Sequence, residues 1–132
     1  MSTIYLDNAA TTKVRDQVVD TMSIVIKNEY GNPSSTHSYG RSSKSLVELA
    51  RKEISEILNV KPSEIVFTSG GTEGDNMIIR NCVNNLGIQH IITTKIEHHA
   101  VTHTIDDLLN TNKIKVSFIK LSMSGEVDLQ DL

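Results

Sequence analysis

A single cysteine, Cys82, leaves no way to form an internal disulfide, and the expectation is a reducing, cytoplasmic setting. Basic residues are not in excess: the formal charge is -3, and no block of Lys and Arg offers a footprint for nucleic acid. No apolar run approaches the roughly 18 residues of a membrane span. The opening MSTIYLDNAATT has no charged stretch followed by an apolar one, so no secretion signal is expected. Glycine and proline are sparse, at 7 and 2, and the chain is 38% apolar and 22% charged, which argues against disorder. What remains is an ordinary globular composition over 132 residues, enough for one buried core.

The pattern along the chain alternates helical stripes with short β-rich runs, without internal repeats. Val14, Val18, Met22, Val25 and Ile26 form a helical stripe over 14–27. A polar loop follows from Asn28 to Gly40, and Pro33 biases Asn32 away from helix. Over 42–58, Val47, Ala50, Ile54, Ile57 and Leu58 line one helical face, with Lys44, Glu48, Lys52 and Glu56 opposite. Ile65–Thr68 reads as a short buried strand. A helix over about 72–85 is expected to turn Met77, Ile78, Cys82 and Leu86 inward, and Ile91–Thr94 reads as the next strand. A helix over 99–110 carries Val101, Ile105 and Leu108 on one face, and a third strand spans Lys115–Leu121. These spacings predict an α/β fold with βαβ crossovers on a mostly parallel sheet flanked by helices. Ligands of such sheets bind beyond the carboxyl ends of the strands, so the segments after Thr68 and Thr94 are the places to look.

The first of these segments is Ser69-Gly70-Gly71-Thr72-Glu73. Backbone N–H groups converge at such a strand-to-helix turn, and the helix end adds about half a positive charge, which favours an anion. The glycines allow close approach, and the Thr72 hydroxyl can donate. It is neither a Walker loop nor G-x-G-x-x-G. Taken alone, it reads first as an ordinary turn with Thr72 as N-cap, since Gly-rich turns are common. The second segment is Glu97-His98-His99-Ala100-Val101. A histidine there can stack on a flat ring or move a proton near neutral pH. His99 and His103, at i and i+4 with Glu97 nearby, allow a metal reading, but HExxH is absent. Stacking, metal and a plain helix start stay open on these residues alone.

Four segments in register narrow the choice. Tyr5-Leu6-Asp7-Asn8-Ala9-Ala10-Thr11-Thr12 resembles the opening motif of the cysteine desulfurase group of class V aminotransferase-fold enzymes. Gly31-Asn32-Pro33-Ser34-Ser35-Thr36-His37 with Gly40-Arg41 is similar to that family's second motif. Phe67 to Glu73 with Asn76 is similar to its phosphate-binding segment, and Glu97-His98 with Ala100-Val101 to its ring-stacking segment. The resemblance runs from near Ile4 to Leu132.

The resemblance implies the large domain of a fold-type I enzyme that uses pyridoxal 5'-phosphate. About 1–40 would be an N-terminal helix and loop, and 41–132 an αβαβαβ portion. Gly71 and Thr72 would bind the cofactor phosphate. His98 would stack on the pyridine ring and assist proton transfer. The implied reaction takes sulfur from L-cysteine, leaving alanine and an enzyme persulfide that serves a sulfur-acceptor protein in iron–sulfur cluster assembly or RNA thiolation. Selenocysteine lyases and other lyases of this fold share these motifs, and the resemblance implies a homodimer, as is typical of the full enzymes. No metal is implied, and His99 and His103 receive no role. Gly74, Asp75 and Ser43 depart from the family's usual residues, and Gly74 weakens its helical turn by up to about 1 kcal/mol relative to Ala.

In the family the Schiff-base lysine, the acidic partner of the ring nitrogen, the substrate-carboxylate arginine and the catalytic cysteine lie downstream of this segment. The expectation is therefore a fragment that makes only non-covalent contacts with the cofactor and is inactive by itself. A split enzyme and a phosphate-binding module are the alternatives. Lys95 matches no cofactor-lysine position, and Cys82 reads as a small buried apolar residue rather than the sulfur acceptor.

Overall fold

The computed structural model describes residues 4–111 and 113–132. The chain divides into two compact units, one running to Val66 and the other from Phe67 to Leu132.

In the first unit, α1 (Asp16–Asn28) and α2 (Ser38–Leu58) flank the polar loop, and a 3-10 turn covers Pro62–Glu64. The loop is pinned to the start of α2. His37 is the N-cap, its Nδ1 accepting the Gly40 N–H at 3.3 Å, and Arg41 donates to the Thr36 carbonyl. Two glycines permit this closeness: a Cβ on Gly31 would lie 2.4 Å from the Tyr39 carbonyl oxygen, and one on Gly40 would lie 2.5 Å from that of Ser35. Asn59, left-handed at φ 53°, ends α2, with its own N–H bonded to Glu56 and that of Val60 bonded to Ser55. The apolar stripe of α2 is largely open to solvent, with Ile57 82% exposed.

The expected strand over Ile65–Thr68 does not form; the segment is extended without a ladder. Val66 and Phe67 are exposed rather than buried, and the Ile65 carbonyl accepts from the Arg51 guanidinium instead of a neighbouring strand. The β-propensity of such a run is expressed only against a pairing neighbour.

In the second unit, α3 (Gly71–Asn84) is followed by β1 (His90–Thr93), α4 (His99–Asn110) and β2 (Lys115–Phe118). The strands pair in parallel with His90 opposite Lys115 and Thr93 opposite Phe118, so β1, α4 and β2 make one βαβ unit. The core is Val83, Ile105, Leu108 and Ile114, backed by Ile79, Ile91, Val101 and Val116. The face expected of α4 is the one buried, at Ile105 and Leu108. That of α3 is rotated. Ile79 and Val83 face the core, whereas Met77, Ile78 and Leu86 are exposed and Cys82 is only half-buried. Apolar residues on α3 come in adjacent runs, Met77-Ile78-Ile79 and Cys82-Val83, so the sequence admits faces about 100° apart. Among the described residues, no helix is long and apolar enough to cross a membrane.

Candidate cofactor site

The two segments singled out in the sequence open adjacent helices of the second unit. Gly70 caps α3, so Thr72 is its second residue and not the cap. Helix geometry leaves the N–H groups of Gly71, Thr72 and Glu73 without intrahelical acceptors. The turn before them is held by Glu73, whose carboxylate accepts from the Ser69 N–H at 2.6 Å and the Ser69 hydroxyl at 2.7 Å. These two bonds, the hydroxyl foremost, hold the Glu73 carboxyl below the ordinary glutamate range. Ser69 is thereby engaged within the protein, and the N–H groups left for a ligand are those of Gly71, Thr72 and Glu73. Among the described residues, a Cβ on Gly71 would meet nothing within 4 Å, so none of them closes the space at this first turn.

After β1 the chain turns through buried Thr93 and Thr94. The Thr94 hydroxyl donates to the Glu97 carboxylate at 2.9 Å, which closes the turn just before α4. His98 is then the N-cap of α4, its Nδ1 accepting the Ala100 N–H at 3.1 Å. With Nδ1 as acceptor, the proton of the neutral ring sits on Nε2. The rest of the ring is exposed.

Thr72 and His98 line one cleft of about 250 Å³, together with Asn76, Arg80, His99, Ala100, His103 and Thr104. Gly71 lies one residue before this lining. Larger concavities exist, but the one of about 580 Å³ beside β2 has its cations engaged. There the Lys95 ammonium lies 5.6 Å from the Phe118 ring centroid, and Lys120 pairs with Asp131 at 2.6 Å. His99 and His103 stack with ring centroids 5.0 Å apart. Among the described residues, no group of three or more His, Cys, Asp or Glu is placed to hold a metal ion.

Along the cleft runs a polar bridge in which only Asn76 belongs to a segment singled out in the sequence, and there without a role of its own. Asn76 Nδ2 donates to the Thr72 carbonyl at 2.9 Å and to the Ala100 carbonyl at 3.4 Å. Arg80 Nε donates to Asn76 Oδ1 at 3.2 Å, and Arg80 Nη1 donates to Asp107 at 2.7 Å. The signal present in the sequence was spacing, since Thr72, Asn76 and Arg80 follow at i, i+4 and i+8. The partner Asp107, 27 residues after Arg80, left no local signal.

The sequence matches the aminotransferase class-V family over residues 4–132. The chain belongs to that family. Among curated relatives, this class-V chain is 40% identical over 131 residues to the cysteine desulfurase IscS of Dictyoglomus turgidum, covering 98% of this chain and 33% of that protein. It thus spans about a third of the length of the curated relatives it matches. Among solved structures it is similar to a NifS-like protein, with a TM-score of 0.86 and 37% identity over 94% of this chain and 34% of the other. It is also similar to SspA solved in complex with cysteine, with a TM-score of 0.80 and 31% identity over 92% of this chain and 35% of the other.

Proposed function

We propose that this chain is the part of a cysteine desulfurase that receives pyridoxal 5'-phosphate. The phosphate rests on the first turn of α3, and the ring rests against His98. The observation that carries the reading is the shared cleft: Thr72 and His98, from separate helices, line the same space. The residues present fit the group. The open first turn at Gly71 and Thr72 offers unpaired N–H donors and a hydroxyl to a dianion, and an exposed imidazole of fixed tautomer stands across the cleft.

When bound, the cofactor supplies an electron sink for breaking bonds next to the substrate's α-carbon. The chain's own contribution is binding and orientation. Gly71 and Thr72 anchor one end of the ligand, His98 sets the plane of the other, and the Nε2–H of His98 is presented there as a donor.

L-cysteine is the proposed substrate of the whole enzyme, in keeping with the desulfurase relatives and with the cysteine bound to SspA. Its sulfur passes to an acceptor protein, and the whole enzyme works as a homodimer whose large domain includes this segment. A chimaera tests this. The chain replaces the corresponding third of the Dictyoglomus cysteine desulfurase, and alanine and sulfide are measured with L-cysteine in the presence of a dithiol reductant, which reduces the enzyme persulfide and releases its outer sulfur as sulfide. The expected result is cysteine-dependent release of both, abolished by His98→Ala. A folded chimaera that binds pyridoxal 5'-phosphate and releases neither product would overturn the proposal.

A further inference from the structure

We infer that Asn76 is a positioning residue that sets the separation of the two ends of the cleft. The inference rests on the cofactor reading above and assigns a task to a side chain that touches neither end of the ligand. Its amide carries two N–H groups, and they go to carbonyls on different helices: Thr72, on the first turn of α3, and Ala100, on the first turn of α4. Ala100 is in turn the residue whose N–H meets His98 Nδ1. Asn76 therefore links the first turn of α3 to Ala100, the residue that caps onto His98, at a carbonyl that also accepts the Thr104 hydroxyl at 2.8 Å.

The orientation of the amide is dictated by its partners. Both carbonyls require donors, so Nδ2 faces them, and Oδ1 is left for Arg80 Nε at 3.2 Å. Arg80 continues to Asp107, which ties α3 to α4 a second time, further from the cleft. That outer ion pair is substantially exposed, with side chains 41% and 57% accessible, and such pairs contribute little. Asn76 is half-buried beside the cleft, and the apolar contact of Ile79 and Val83 with α4 holds the helices together further along. Losing the Asn76 bridge should leave the pair of helices assembled but loosen the spacing at their N-terminal ends.

A ligand that spans the cleft feels such a change, whereas one that touches only the α3 turn does not. The test uses pyridoxine 5'-phosphate, which lacks the aldehyde and so binds without covalent attachment to lysines, beside inorganic phosphate. Affinities of the wild-type chain, Asn76→Leu and Asn76→Ser are measured by calorimetry, with thermal melts in parallel. Two variants of different size guard against a packing failure in one. The expected result is that a variant with a wild-type-like melt keeps phosphate affinity within about twofold and loses pyridoxine 5'-phosphate affinity by about tenfold. Equal affinity for pyridoxine 5'-phosphate in wild type and variant, proportional loss of both ligands, or unfolding of both variants would overturn the positioning role. A wild-type chain that binds pyridoxine 5'-phosphate no better than phosphate would instead overturn the cofactor reading, and the inference with it.

Discussion

His98 accepts the N–H of Ala100 at 3.1 Å, so the residue proposed to face the cofactor ring also begins the helix behind it. The two roles separate by substitution. His98→Ala removes the cap and should cost about 1 kcal/mol in a urea melt, whereas His98→Asn, a good cap, should stay near the wild type. Both should lose affinity for pyridoxine 5'-phosphate, which calorimetry reads directly. Recovery of ligand binding in His98→Asn would show that only the cap matters.

Glu73 makes the turn before α3 sensitive to acid. Its carboxyl is held below the ordinary glutamate range by the Ser69 hydroxyl and then by the Ser69 N–H. A carboxyl lowered in the folded state adds stability above its unfolded pKa, and that stability disappears as pH falls through the folded one. Glu73→Gln should therefore flatten the acid side of the stability–pH curve while leaving its shape at neutral pH and above unchanged. Denaturant melts at a series of pH values measure this.

Ser43 and Gly74 mark places where the chain can be stabilised. Ser43 is buried, and among the described residues its hydroxyl has no hydrogen-bond partner. Ser43→Ala should stabilise by about 1 kcal/mol, because the orphaned hydroxyl no longer has to be kept from water. Gly74 lies on the first turns of α3, where an added Cβ would meet only the Thr68 hydroxyl, at 3.9 Å. Gly74→Ala should stabilise by up to about 1 kcal/mol. A loss of stability at either position in thermal melts would contradict this account of it.

The core of the second unit predicts a contrast between two large aliphatic residues. Leu108 is 1% exposed and Ile57 is 82% exposed. Leu108→Ala should cost about 2–5 kcal/mol, through lost burial and the cavity left behind. Ile57→Ala should stay within about 0.5 kcal/mol. Urea melts of both variants give the comparison.

How far the sequence reveals the fold depends on how unambiguous each pattern is. Val101, Ile105 and Leu108 lie at i, i+4 and i+7 with polar residues between, so the buried face of α4 is readable. Ile79 and Val83 sit in unbroken apolar runs on α3, and only packing against α4 selects them over Ile78 and Cys82. Ile65–Thr68 has the composition of a strand, yet a strand is a relation between segments, and here the Ile65 carbonyl goes to Arg51. The candidate site follows the same rule. Thr72 and His98 each begin a helix after a β-rich run, but they stand out only because their segments resemble the cysteine desulfurase motifs in register with two others. The bridge of Asn76, Arg80 and Asp107 depends on the approach of two helices, which no local pattern encodes.

The central claim is that the first turn of α3 and His98 hold the two ends of one ligand. Amide and imidazole NMR shifts of the chain, followed during titration with pyridoxine 5'-phosphate, test it most directly. The account predicts that the Gly71 and Thr72 amides and the His98 ring signals move together along one saturation curve. It also predicts that inorganic phosphate moves the first two alone. Movement of the His98 ring with phosphate alone, or no movement of Gly71 and Thr72 with pyridoxine 5'-phosphate, would contradict it.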